Sequence, residues 1–210
     1  VACRMARAVS VHDTVFVTPM AAVAGAVADE ILASMTEVPG LDKAYVNNGG
    51  DIAFHLGPGE RFKIGAVSDV ETAIPDGFVT LPADTGVRGV ATSGAGGRSF
   101  SLGIADAVTV LAHTAAAADV AATLIANEVN IDHPAIGREP ARNLDPDSDL
   151  GNRLVTTSAG ELPTRLVAQA LDIGAACAET MRRRGTVRGA FLRCQGQMRV
   201  VADDRFLTER

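Results

Sequence analysis

The sequence is short of cysteine, of lysine and of long apolar runs, and each shortage closes off a class of protein. Its three cysteines, Cys3, Cys177 and Cys194, lie far apart and form no C-x-x-C pair. The odd count and the spacing argue for reduced thiols, and hence for a cytoplasmic setting. The longest apolar stretch, near Met20–Ala28, is cut by Asp29 and Glu30, well short of the ~18 residues that suggest a membrane span. No secretory signal pattern is visible. Basic charge rests on 17 Arg and two Lys without a long basic run, and the net charge is −6, so the overall field repels nucleic acid and anionic membranes. Neither a P-loop, a dinucleotide-binding fingerprint, a Gly-x-Ser-x-Gly elbow nor a solenoid repeat is present.

What is there describes a globular domain. The 210 residues are 47% hydrophobic and 21% charged, which excludes a disordered or collagen-like chain. A chain of this length buries roughly 70% of the surface it exposes when unfolded, enough to fold without disulfides or a structural metal. A cofactor would therefore serve chemistry. We expect a single domain over 1–210, with the one long loop at about 130–152, where Pro and acidic residues gather.

Thr18-Pro19 opens a helix whose apolar stripe runs through Met20, Val23, Val27, Ile31 and Met35 until Pro39-Gly40. Short strand-like segments follow at Lys43–Asn48, Asp51–Leu56, Arg61–Val67, Phe78–Pro82, Val87–Thr92 and Ala107–Leu111. Thr114 caps a helix to about Glu128. Pro163 opens another, with Leu166, Ala170, Ile173, Cys177 and Met181 on one face and Arg182-Arg183-Arg184 against the negative end of its dipole. Val187–Cys194 and Gln197–Val201 form a terminal hairpin. The order predicts an α+β fold of long helices layered on a mostly antiparallel sheet.

The helix Ala115–Glu128 is apolar nearly all round except for Asp119, Thr123 and Asn127, which stand four residues apart on one stripe. An ionised carboxylate buried there needs a partner. Either Asp119 pairs with an arginine while Thr123 bonds back along the helix, or the two oxygens reach a hard cation such as Mg²⁺. Two glycine turns could line the same ligand: Asn48-Gly49-Gly50-Asp51, at a strand end, and Thr92-Ser93-Gly94, which continues through Gly96, Gly97 and Arg98. Each could equally be an ordinary turn. Asp145-Pro146-Asp147-Ser148-Asp149-Leu150-Gly151 alternates carboxylates as some calcium loops do, but Leu150 stands where the turn glycine belongs. Asp29, opposite the apolar stripe, reads as a solvated acid. His113 is the histidine nearest the polar stripe and reads as structural.

Five motifs in order carry a resemblance over about Thr18 to Val129: Val23-Ala24-Gly25 to Asp29, Asn48-Gly49-Gly50-Asp51, Ala91-Thr92-Ser93-Gly94, Val108-Thr109-Val110 and Ala118–Thr123. Together they resemble the ApbE-like superfamily, whose best-known members are FAD:protein FMN transferases, while the runs Phe16–Glu30, Asn47–Ala53 and Asp145–Gly151 look most like a branch of that superfamily with an additional segment ahead of the position matching Val1. The resemblance implies an ApbE-like, T-fold-like framework. It implies that Asp119 and Thr123 bind Mg²⁺ with a backbone carbonyl near Val23–Gly25, and that Asn48, Gly49, Gly50, Asp51, Thr92, Ser93 and Gly94 line the cleft for FAD or another flavin nucleotide. In the transferases the metal holds the FAD diphosphate while a hydroxyl attacks the FMN-side phosphorus and AMP leaves. This sequence departs from them in two places. Ala24 replaces a lysine, and Ser99-Phe100-Ser101-Leu102-Gly103 replaces a His-Ile-Ile-Asp-Pro-like segment. Binding without transfer, or a different small molecule in the same cleft, is therefore the alternative. The glycine-rich edge and apolar helices also admit a homodimer.

Overall fold

The computed structural model describes residues 1–66, 77–97, 99–203 and 206. The runs punctuated by Gly, Pro and Asp fold as β1 (Lys43–Asn48), β2 (Asp51–Leu56), β3 (Arg61–Ala66), β4 (Gly77–Pro82), β5 (Gly89–Ser93) and β6 (Ala107–Ala112). They are followed by β7 (Ile136–Pro140), β8 (Leu154–Ala159), β9 (Gly189–Cys194) and β10 (Gln197–Ala202). The helices are α1 (Ala2–Ser10), α2 (Val23–Met35), α3 (Ala115–Glu128), α4 (Ala141–Leu144) and α5 (Thr164–Arg183), with a 3₁₀ turn over Pro19–Ala22 leading into α2. The stretch expected as one long loop thus holds β7 and the short α4. No helix among the described residues is long and apolar enough to cross a membrane.

Six strands form one antiparallel sheet in the order β1-β2-β5-β6-β9-β10, and β3–β4 and β7–β8 are separate hairpins. The chain is therefore a mixed α/β protein built on a mostly antiparallel sheet. Alternation along the strands sorts the core into two layers. Ala91, Val108, Val110, Ala190 and Leu192 pack with α3 and α5, whereas Val90, Leu111 and Phe54 pack with Val79 and Leu81 of β4 on the other side.

The helices meet their neighbours through small residues, which corrects the faces expected from the large ones. In α2 the buried positions are Gly25, Ala26 and Ala28, while Met20, Ile31 and Met35 are exposed. A Cβ on Gly25 would lie 2.4 Å from the carbonyl oxygen of Ala115, so glycine is what lets α2 touch the start of α3. In α5 the buried face is Val167, Ala170, Leu171, Gly174, Ala178 and Met181; it keeps Ala170 and Met181 of the expected stripe, whereas Ile173 is exposed. A Cβ on Gly174 would lie 2.3 Å from Val129. At both positions the absent Cβ lets the neighbouring element pack at van der Waals distance.

Candidate functional site

The start of α3 is fixed from two sides. Thr114 accepts from the Ala117 amide at 3.1 Å, as its cap position in the sequence requires. Asp29 reaches across from α2 and accepts from the amides of Ala115 and Ala116 at 3.0 and 2.9 Å. Asp29 is thus a half-buried cap and not the solvated acid expected. Burial pushes its carboxyl up, and the two amides pull it back.

Asp119, one turn further along α3, returns the contact. Its Oδ2 accepts from the Gly25 amide of α2 at 3.0 Å. Each helix therefore supplies the carboxylate that satisfies amides in the first turn of the other. Asn48, at the end of β1, donates its side-chain amide to the Ala24 carbonyl at 3.1 Å and steadies the same turn of α2. The arginine partner weighed for Asp119 is not found: no guanidinium among the described residues bonds it, and the contacts that act on its charge are Asp51 and the amides of Gly25 and Ala24.

Asp51 begins β2, is only 9% exposed, and accepts from the Thr92 amide of β5 at 3.3 Å. Burial, and then the charge of Asp51, push the carboxyl of Asp119 up to about 7, while the amides of Gly25 and Ala24 oppose the shift. Both acids line a cavity of about 550 Å³. Thr123 and Asn127 share its wall, so the whole polar stripe of α3 faces one cleft. Asn127 also accepts from the Leu102 amide at 2.9 Å, which ties α3 to the segment Ser99–Gly103.

Of the two glycine turns, Thr92, Ser93, Gly94 and Gly97 line this cavity, together with Asp51. Asn48, Gly49 and Gly50 do not. Gly49 and Gly50 adopt φ of 69° and 110° in the turn that joins β1 to β2, a region that favours glycine. Gly50 borders a smaller apolar pocket of about 60 Å³, which shares Thr92 with the cleft. Arg98, read as added charge on the second turn, lies outside the described residues.

The remaining wall joins segments that the sequence reading treated separately, with Phe100 not singled out at all. Phe16, Val17, Thr18, Met20, Phe100 and Leu150 line the cavity, as do Asp145, Asp147 and Asp149 of the alternating loop. Thr18 donates its hydroxyl to the Asp149 carboxylate. The Arg153 guanidinium lies 3.4 Å from the centre of the Phe16 ring. An aromatic just ahead of a helix start, in a chain only 4% aromatic, is a signal in the residues themselves that points to Phe16.

His113 is structural, as expected: its Nδ1 pairs with the Gly86 carbonyl and its Nε2 with Arg188, both at 2.9 Å. The thiols stay away from the cleft, and burial pushes Cys177 up to about 11 and Cys194 up to about 12. Among the described residues no group of three or more His, Cys, Asp or Glu is arranged to hold a metal ion. A cation at the acidic pair would complete its shell with hydroxyl, carbonyl, water or ligand oxygens. That oxygen-only donor set fits Mg²⁺ and not a softer metal.

Against known proteins, the sequence model of a family described as AbpE bacteria matches residues 1–200. Similar relatives include a UPF0280 protein of Methanococcoides burtonii, 37% identical over 131 residues, which is 62% of this chain and 54% of the relative. A UPF0280 protein of Methanosarcina barkeri is 39% identical over 60% of this chain and 48% of its own length. One of Methanopyrus kandleri is 41% identical over 56% and 46%. The chain spans about half the length of the curated relatives it matches. These names carry no activity.

Proposed function

The chain belongs to the AbpE bacteria family, and we propose that its cleft holds a phosphorylated small molecule through a divalent cation, Mg²⁺ on donor chemistry, bound by Asp119 and Thr123 with Asp51 beside them. One observation carries the reading: a carboxylate pair and a hydroxyl one helical turn along line a single cavity with the Thr92-Ser93-Gly94 turn, and the charge of Asp51 acts on Asp119. Two buried acids that repel each other are satisfied by one divalent charge, which would return Asp119 to its ionised form.

The finer form of the reading is an ApbE-like, T-fold-like framework with FAD or another flavin nucleotide in the cleft. It is supported by the five ordered motifs and by the place of Asp51, Thr92, Ser93, Gly94, Asp119 and Thr123 on one cavity. Bound Mg²⁺ would neutralise diphosphate charge, the main requirement of phosphoryl transfer. This chain's own residues hold the geometry around it. The Gly25 amide orients Asp119, Asn48 steadies the Ala24 carbonyl, and the Thr92 amide orients Asp51.

A non-catalytic binding role is the second reading, favoured by the cleft wall itself: among its described lining residues there is no Lys, Arg, His or Cys. The test of both is to incubate the protein with FAD, with and without Mg²⁺, and to follow melting temperature and AMP release. A Mg²⁺-dependent rise in melting temperature with AMP supports the enzyme, and the rise without AMP supports the binder. No Mg²⁺-dependent response to FAD or to inorganic pyrophosphate would sink the cation–phosphate reading.

A further inference from the structure

The stretch 141–153, which joins β7 to β8, carries its own scaffold. Its backbone hydrogen bonds close on one another: Ala141 donates to the Arg153 carbonyl and Arg142 to the Gly151 carbonyl, both at 2.9 Å, and Asp145, Ser148 and Gly151 donate to Ala141, Asp145 and Ser148 inside that pair. The Asp145 side chain accepts from the Asp147 amide at 3.0 Å. Among the described residues, these bonds reach no backbone group outside the stretch. A loop with close ends and internal bonds of this kind moves as one body, since its movement breaks none of them.

The root of the stretch is fixed. Ala141 and Val155 are fully buried, Arg138 of β7 donates to the Asn130 side chain and to the Ile131 carbonyl, and the Thr156 amide of β8 donates to the Ser101 carbonyl at 2.8 Å. The tip lies at the cleft, where Asp145, Asp149 and Leu150 share the cavity wall with Phe16 and Thr18. Two contacts join the tip to that facing segment. The Arg153 guanidinium lies over the Phe16 ring. The Thr18 hydroxyl stands where a helix cap belongs, makes no cap bond, and donates instead to the exposed Asp149 carboxylate. An exposed hydrogen bond and an exposed cation–ring contact are each weak, so together they favour the closed position by roughly ten- to a hundredfold and no more.

We propose that 141–153 is a strap, hinged at the ends of β7 and β8, that closes the cleft by latching onto Phe16 and Thr18, and that the cleft takes up and gives up its occupant when this latch is released. The role as a gate rests on reading the cleft as a ligand site, whereas the motion belongs to the ligand-free protein and is measured there. A latch of this strength leaves an open minority at the level of one to ten per cent, enough for exchange and too little to leave the cleft uncovered.

The sequence has no tryptophan, so Phe16→Trp in the full chain places a single indole under Arg153, and acrylamide quenching of its fluorescence reads how often the strap stands away. On that background Thr18→Val removes only the latch hydroxyl. The open fraction should rise roughly tenfold with the urea midpoint unchanged, Asp149→Ala should do the same, and the two together should do no more than either alone. With Mg²⁺ present, inorganic pyrophosphate should enter the Thr18→Val protein faster by the same factor in stopped flow. Quenching that is equal with and without the latch hydroxyl, at an intact urea midpoint, would overturn the strap whatever the cleft binds. Pyrophosphate entry at an unchanged rate despite a raised open fraction would overturn the gate. A strap that opens as expected while pyrophosphate and Mg²⁺ move neither quenching nor melting temperature would uphold the motion and overturn the cation–phosphate reading instead.

Discussion

Replacing Asp119 by Asn keeps an acceptor for the Gly25 amide and removes one charge from a repelling pair. In the metal-free protein the Asp119 carboxyl is raised from 3.8 to about 7. Between those values the folded chain binds more protons than the unfolded one, so stability falls as pH rises through the window and levels off above it. Each pH unit of the window is worth ~1.4 kcal/mol, which bounds the loss at roughly 4 kcal/mol. The Asp119→Asn variant escapes that loss. Above pH 7, with chelator present, it should be more stable than the wild type by a few kcal/mol, a melting point higher by roughly 5–10 °C for a chain of this size. Added Mg²⁺ should then raise the wild type, by ~2.7 kcal/mol at a hundredfold excess over Kd, and leave the variant where it was. Burial also raises the carboxyls of Asp29 and Asp106, and these slope the same way. The difference between wild type and variant, followed by urea unfolding across the pH series, therefore isolates Asp119. A variant less stable than the wild type above pH 7 would refute the electrostatic account, and one that still responds to Mg²⁺ would move the cation elsewhere.

Two further outcomes follow from the helix contact. Gly25→Ala puts a Cβ 2.4 Å from the Ala115 carbonyl oxygen, and should cost roughly 1–3 kcal/mol by forcing α2 and α3 apart. A change within ~0.5 kcal/mol in urea unfolding would show that the helices adjust freely. Asp29→Ala removes the acceptor for two amides at the start of α3 and should cost roughly 1–2 kcal/mol. Asp29→Asn should recover part of it, and equal losses for the two substitutions would mean that hydrogen-bond acceptance is not what Asp29 supplies.

The strand bounds of β1 and β2 and the whole of α3 were legible because glycine, proline and Thr114 mark their ends in the chain itself. The stripe Asp119, Thr123, Asn127 was legible for a related reason: polar residues four apart on an otherwise apolar helix must face something polar. Helix faces were not. Hydrophobicity points to Ile31 and Ile173, but close packing is decided by Gly25 and Gly174, which a hydrophobic pattern ignores. β7 was hidden in a stretch whose prolines and acids read as loop, and α1 because it buries no residue fully and has no side-chain cap. Asp29 and Phe16 act across the fold, on Ala115 and beside Arg153, and no local spacing announces a partner more than 80 residues away.

Because Asp29 and Asp119 fasten α2 and α3 at two points, like rivets through a pair of plates, neither helix can slide or swivel without undoing both. The acid that lines the cleft is thereby also a structural fastener. A relative without a ligand in this cleft would still need an oxygen at position 119, and asparagine would serve as well as aspartate. The residue that betrays such a change of trade is therefore Thr123, whose hydroxyl has no share in the fastening.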